Sequence, residues 1–179
     1  MCIRDRWIEP VLTTHSRNVM ASAYMADGYP TTQPHWDFGL NGQGVILGVA
    51  DSGIDDDHSC FRNDTDSVGE IGSNHRKILV SNTSIDDGDN PGQSDYRHGT
   101  HVAGSLVCHD VYTYVDDEVP NNGSTIAYKA KLIFQDIVSD DGWMPPENVT
   151  ELLLENSQNG GIIHSNSWGD DTTAYTDRT

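Results

Sequence analysis

The sequence has few positive charges and no long apolar run. Ten Lys and Arg residues stand against 28 Asp and Glu residues, which gives a formal net charge of −18. Phosphate binding needs a basic surface, so this deficit argues against a nucleic-acid-binding protein and against a surface that seeks anionic lipid. No stretch of about 18 apolar residues occurs, and we therefore predict no membrane span. Hydrophobic residues make up 35% of the chain, which is enough for a buried core.

The ends of the chain lack the features of a complete domain. Residues 1–6 contain no apolar stretch of about 7–15 residues, so they do not form a signal peptide. Residues 170–179 follow a strongly predicted strand without a closing helix. We expect a fold that is truncated at both ends, with residues 1–25 as a separate N-terminal segment and residues 26–179 as the folded part.

Cysteine is scarce as well. The three cysteines form no CxxC pair, which excludes a zinc knuckle or a redox motif of that type. Cys60 and Cys108 form a disulfide if the protein is secreted, or they are two buried free thiols, and the sequence leaves both possibilities open. Four Asn-x-Ser/Thr sites favour secretion and surface loops; they lie at Asn63, Asn82, Asn122 and Asn148.

Short apolar segments alternate with segments of helical spacing. Strands are predicted at 44–50, 77–80, 131–138 and 162–167. Helices are predicted at 98–107 and from Pro146 to the glycines at 160–161, the second with an inner stripe of Val149, Leu152, Leu153 and Asn156. Alternating strands and helices predict an α/β fold, in which helices flank a parallel β-sheet.

Two residues that bear chemistry are expected to meet at one edge of this sheet. Asp51 follows the first buried strand, and His98 opens the helix that should pack on the sheet. Ligands of parallel sheets bind beyond the carboxyl ends of the strands. A carboxylate in contact with an imidazole there would orient the ring and stabilise its protonated form. The pair therefore indicates acid–base chemistry that needs a nucleophile.

Four segments carry a resemblance to a known family. VADSGID at 49–55 and HGTHVAG at 98–104 resemble the aspartate and histidine motifs of the subtilisin-like serine proteases. SNSWG at 165–169 resembles the substrate strand of that family. IAYKAKL at 126–132 resembles the segment that leads into a strand between the histidine motif and the substrate strand. Their order and spacing fit the amino-terminal part of a subtilisin-like catalytic domain, and the run at 161–169 is most similar to the oxidatively stable alkaline protease branch.

The resemblance implies roles for particular residues. Asp51 would be the orienting acid, and His98 the general base and then the general acid, of an Asp-His-Ser triad. Ser167, Trp168 and Gly169 would line the pocket for the residue before the cleaved bond. Gly142 would lie on the facing edge, so that a polypeptide substrate binds as an added strand. The implied protein is a secreted serine endopeptidase, and residues 7–10 would be the tail of an inhibitory propeptide, which makes it a zymogen.

Other parts that the resemblance implies are missing from the sequence. No segment matches the Gly-Thr-Ser-x-Ala motif of the nucleophile, and no segment matches the oxyanion-hole asparagine. We therefore predict that this chain alone is inactive. The chemistry requires no cofactor. Many family members bind structural calcium, but the position nine residues after Asp51 is Cys60, so no metal residue is assigned.

Several alternatives are weaker. The run at 86–90 resembles a calcium loop, but the twelfth position is Arg97 and not the Glu of an EF-hand, which favours a solvated turn. His98 and His101 lack the His-Glu-x-x-His spacing of metallohydrolases. The glycines at 42–48 precede the strand and interrupt it, which excludes a dinucleotide fingerprint. The remaining alternative is a non-catalytic relative that binds peptide or a partner protein at the same edge.

Overall fold

The fold is known from a computed structural model, which describes residues 34–82, 89–112 and 124–169. The helices are α1 (Pro34–Asp37), α2 (His98–Val107) and α3 (Thr150–Gln158). The strands are β1 (Ile46–Asp51), β2 (Ile78–Asn82), β3 (Lys131–Asp136), β4 (Val138–Ser139), β5 (Gly142–Trp143) and β6 (Ile163–Asn166). The predicted N-terminal segment 1–25, with its proposed propeptide tail, lies outside the described residues.

The central feature is a parallel sheet of four strands in the order β2-β3-β1-β6. β1 and β3 are buried along most of their length, as expected for interior strands that are covered on both faces. β4 and β5 form a separate antiparallel hairpin directly after β3. The predicted mixed fold of a parallel sheet with flanking helices is confirmed.

The alternation of side chains along β1 decides which helix meets which face. Leu47 and Val49 face the larger hydrophobic core, into which α2 inserts Ala103 and Val107. Ala50 faces the other side, where it packs with Leu152 of α3. Helices α2 and α3 therefore cover opposite faces of the sheet, and Asp51 belongs to the face of α2.

The face beneath α3 carries a chain of hydrogen bonds across three strands. Glu155 of α3 accepts hydrogen bonds from the amide of Asn82 on β2 (3.0 Å) and from the amide of Gln135 on β3 (2.6 Å). The oxygen of Gln135 lies 2.7 Å from Nε2 of His164 on β6. Burial lowers the pKa of His164, so the neutral ring donates at Nε2 to Gln135. These bonds satisfy polar groups that the helix buries.

Some predicted element boundaries and one core residue were wrong. The second helix begins at Thr150 and not at Pro146, because the Asn148 side chain accepts the N–H of Thr150 and turns the chain there. The exposed fraction of Leu153 is 46%, so this residue does not belong to the inner stripe. The predicted strand at 131–138 is broken after Asp136, whose carboxylate accepts the N–H of Val138 in a turn.

Two cross-links hold the region between β1 and β2. Cys60 and Cys108 form a disulfide with a Cα–Cα distance of 4.6 Å, which resolves the alternative that the sequence left open. The half-buried guanidinium of Arg76 donates to the backbone oxygens of Arg62 and His109, and desolvation lowers its pKa to about 10. Within the three described ranges, no helix combines the length and apolar character needed to cross a bilayer.

Candidate active site

The site is built where β1 ends and α2 begins. Asp51 is the last residue of β1, and its side chain lies on the face of the sheet that α2 covers. His98 is the first residue of α2. The strand and the helix therefore bring together two residues that are 47 positions apart in the sequence.

Asp51 and His98 are in direct hydrogen-bond contact. Oδ1 of Asp51 lies 2.7 Å from Nδ1 of His98, and the same oxygen accepts the N–H of Ser52 at 2.8 Å. The side chain of Asp51 is fully buried, whereas that of His98 is 40% exposed. Oδ2 of Asp51 has no hydrogen-bond partner among the described residues. The carboxylate is thus sequestered, and the ring that it contacts is accessible.

Small residues explain how the helix comes so close to the strand. A Cβ atom at Gly99 would contact the backbone oxygen of Gly53 and would lie 3.1 Å from Cβ of Asp51. Gly53 has a φ of 94°, a left-handed conformation that glycine adopts readily. Ser52 joins the two segments, because its Oγ accepts the N–H of Gly99 at 3.0 Å. Glycine at position 99 is therefore needed for the approach of His98 to Asp51.

This arrangement is suited to proton transfer. Because Nδ1 of His98 contacts a buried carboxylate oxygen, the proton of the neutral ring belongs on Nδ1. Nε2 is then the basic nitrogen, and the ring is partly exposed at the edge where ligands of parallel sheets bind. When Nε2 takes up a proton, the carboxylate stabilises the imidazolium.

The residues predicted to bind substrate lie around the same edge. Ser167 and Gly169 are exposed and follow the end of β6, which pairs with β1. The indole N–H of Trp168 donates to the backbone oxygen of Ala50 at 3.0 Å, so this side chain is also part of the core beneath α3. Gly142 is half-buried in the β4–β5 hairpin and has a φ of 108°.

Two contacts next to the site could not be predicted from sequence patterns. The centroid of the Trp143 ring in the β4–β5 hairpin lies 6.4 Å from that of Trp168, which brings the hairpin beside the end of β6. The indole N–H of Trp143 donates to Oδ2 of Asp95 at 2.7 Å. Asp95 and Trp143 are 48 positions apart, and no sequence pattern links the two, so only the folded chain reveals their contact.

Calcium does not fit the position that the resemblance suggests. The sulfur of Cys60 is bonded to Cys108 and offers no oxygen ligand. Across the described parts of the chain, no group of three or more His, Cys, Asp or Glu side chains is arranged to hold a metal ion. The run at 86–90 lies partly outside these parts, and its Asp89 accepts hydrogen bonds from the N–H of Arg97 and the hydroxyl of Thr100.

The chain is similar in sequence to known proteins. Residues 42–179 match the sequence model of the subtilase family. The chain is 31% identical over 170 residues to the "Serine protease/ABC transporter B family protein tagA" of Dictyostelium discoideum, with 90% of this chain covered. It is 33% identical over 142 residues to the related protein tagD of the same organism, with 74% covered.

A solved structure supports the fold. The CspB protease of Clostridium perfringens superposes with a TM-score of 0.52 at 18% sequence identity, and the match covers 78% of this chain and 32% of that chain. The chain spans only 9% of the length of tagA and 7% of the length of tagD. The relatives are thus much longer proteins.

Proposed function

Because the chain belongs to the subtilase family, we propose that it forms the amino-terminal part of the catalytic domain of a serine endopeptidase. The observation that carries this proposal is the 2.7 Å contact between Oδ1 of the buried Asp51 and Nδ1 of the accessible His98. A protein that only binds peptide gains little from such a pair. The intact pair therefore favours the enzyme over a non-catalytic relative.

Asp51 and His98 would act together on a serine. Asp51 holds the Nδ1 proton and fixes the ring, so that Nε2 of His98 takes the proton from the serine hydroxyl as its oxygen attacks the peptide carbonyl. The imidazolium then gives this proton to the leaving amine. A water molecule, deprotonated in the same way by His98, then attacks the ester formed with the serine and releases the acyl group.

The nucleophile would come from elsewhere in the full-length protein. The 179 residues contain no Gly-Thr-Ser-x-Ala segment, and the relatives that match are many times longer than this chain. Ser52 is not a substitute, because its hydroxyl donates to the backbone oxygen of Asp95 and accepts the N–H of Gly99. We expect the chain alone to be inactive.

The substrate would be a polypeptide bound in an extended conformation. Gly142 in the β4–β5 hairpin and Ser167 and Gly169 after β6 would flank the substrate, because the ring centroids of Trp143 and Trp168 lie 6.4 Å apart and bring the two segments close together. Backbone groups at these positions would pair with the substrate as with an added strand. Three points stay predictions: the side chains that the substrate pocket prefers, the relation to the oxidatively stable alkaline protease branch, and activation from a zymogen.

An oxidising compartment suits the domain best. The disulfide between Cys60 and Cys108 supports secretion or an extracytoplasmic location, since structural disulfides persist where thiols are not kept reduced. No cofactor is needed for the chemistry, and the position occupied by Cys60 offers no calcium ligand.

Labelling with a fluorophosphonate tests the proposed function. We expect the mature full-length protein to be labelled on serine, and the variant His98→Ala to lose labelling. The variant His101→Ala serves as the matched control, because it removes another imidazole of α2 and leaves the contact with Asp51 intact. Absence of label on the folded wild-type protein would support the non-catalytic alternative instead.

A further inference from the structure

The loop that leads into His98 has an unusual backbone. Asp95 and Arg97 adopt φ angles of 56° and 69°, in the left-handed region that residues other than glycine rarely enter. Such conformations persist only where surrounding contacts hold them. The loop therefore depends on specific contacts to deliver His98 to Asp51.

Asp95 makes those contacts with both its backbone and its side chain. Its backbone oxygen accepts the N–H of His98 at 2.8 Å and the hydroxyl of Ser52 at 2.9 Å. Its carboxylate accepts the indole N–H of Trp143 at 2.7 Å. Since the oxygen of Ser52 in turn accepts the N–H of Gly99, the first two amides of α2 are both fixed through Asp95.

A second bond joins the same loop to the same hairpin. The side-chain amide of the buried Gln93 donates to Oδ1 of Asp140, which lies in the turn between β4 and β5, at 3.3 Å. The loop 89–97 is thus attached twice to the hairpin that carries Gly142. Immobilising this hairpin would therefore restrain the loop that precedes His98.

We propose that Asp95 is a positioning residue that couples the binding of peptide along the β4–β5 hairpin to the placement of His98. This inference rests on the proposed function, because it treats the hairpin as the edge that pairs with substrate. A substrate long enough to pair with Gly142 immobilises the hairpin. The indole of Trp143 then fixes the carboxylate of Asp95. The backbone oxygen of Asp95 in turn fixes the N–H of His98, so that the His98 ring stays in contact with Asp51.

Kinetics of the full-length protein test the coupling. Asp95→Ala and Trp143→Phe remove opposite ends of one hydrogen bond, so each should lower kcat for an extended peptide about tenfold, which is less than the roughly 10²-fold cost of a 1 Å misplacement of a reacting group. The double variant should be no worse than the single variants. A short ester that does not reach the hairpin should lose less of its kcat in each variant than the extended peptide does.

A conservative variant separates positioning from general damage to the fold. Asp95→Asn keeps an oxygen that accepts the indole N–H, and it should restore kcat to within about threefold of the wild type. Glu70→Gln, which removes one exposed charge far along the chain, should have no effect. Equal losses for the long peptide and the short ester, or additive losses in the double variant, would overturn the coupling.

Hydrogen exchange gives a readout that does not need activity. In the full-length protein, the amides of His98 and Gly99 should exchange about tenfold faster in Asp95→Ala and in Trp143→Phe than in the wild type and in Asp95→Asn. Unchanged exchange in both variants would overturn the inference. If the exchange pattern appears but the wild-type protein hydrolyses no peptide and takes no fluorophosphonate, the structural link stands and the proposed function fails.

Discussion

Removal of the disulfide between Cys60 and Cys108 should lower the free energy of unfolding of the chain by about 4 kcal/mol. The two cysteines are 48 residues apart, and closing a loop of that length removes about this much chain entropy from the unfolded state. Cys108 directly follows the last residue of α2, and both cysteines are only 7% exposed. The disulfide thus fixes the C-terminal end of the helix that begins with His98.

Urea unfolding followed by tryptophan fluorescence measures this effect. The double variant Cys60→Ala/Cys108→Ala should unfold at a lower urea concentration than the wild type, and reductant should shift only the wild type. Cys2→Ala is the matched control and should behave as the wild type does. A loss below about 1 kcal/mol, or an equal response of the double variant to reductant, would show that the cross-link does not restrict the unfolded chain as argued.

Three further predictions concern stability. Gly99→Ala should destabilise the chain by about 1–3 kcal/mol, because the new Cβ would clash with the backbone of Gly53. Gly104→Ala in the same helix has open space at Cβ and should not destabilise the chain. The urea midpoints of the two variants measure the difference, and equal midpoints would contradict the close approach of α2 to β1. Burial lowers the pKa of His75 from 6.5, so the unfolded state binds more protons and the free energy of unfolding should fall as the pH drops below about 6.5. If the free energy of unfolding of His75→Asn fell with pH as steeply as that of the wild type, this prediction would be refuted. Lys77→Ala should cost about 2 kcal/mol in thermal unfolding because it leaves the backbone oxygens of Tyr128 and Ala130 without their buried donor, and an unchanged Tm would argue against those bonds.

Local patterns were sufficient to predict the frame of the site. Short-range apolar spacing predicts the strand before Asp51 and the helix at His98–Val107. The structure places the first and the last residue of this helix where the sequence predicts them. The meeting of Asp51 and His98 was expected because Asp51 ends a parallel strand and His98 opens a helix that packs on the same sheet, whereas the 2.7 Å contact is seen only in the structure.

Long-range contacts between unremarkable residues could not be predicted. The bond between Asp95 and Trp143 depends on a left-handed backbone at Asp95 and on a hairpin of only two residues per strand. The start of α3 was misplaced, because a proline suits a first turn but the side chain of Asn148 actually sets it. Periodicity gives an approximate inner face, and tertiary packing left Leu153 outside it.

The role of the buried carboxylate in catalysis can be measured as the rate of peptide hydrolysis by the Asp51→Asn variant of the full-length protein. An asparagine cannot stabilise the imidazolium or hold the Nδ1 proton as a carboxylate does, so kcat should fall by about 10⁴-fold. Asp55→Asn, a change of the same kind four residues further on and outside the contact with His98, should leave kcat within about threefold of the wild type. Equal activity of Asp51→Asn and wild type would show that the buried carboxylate has no part in catalysis.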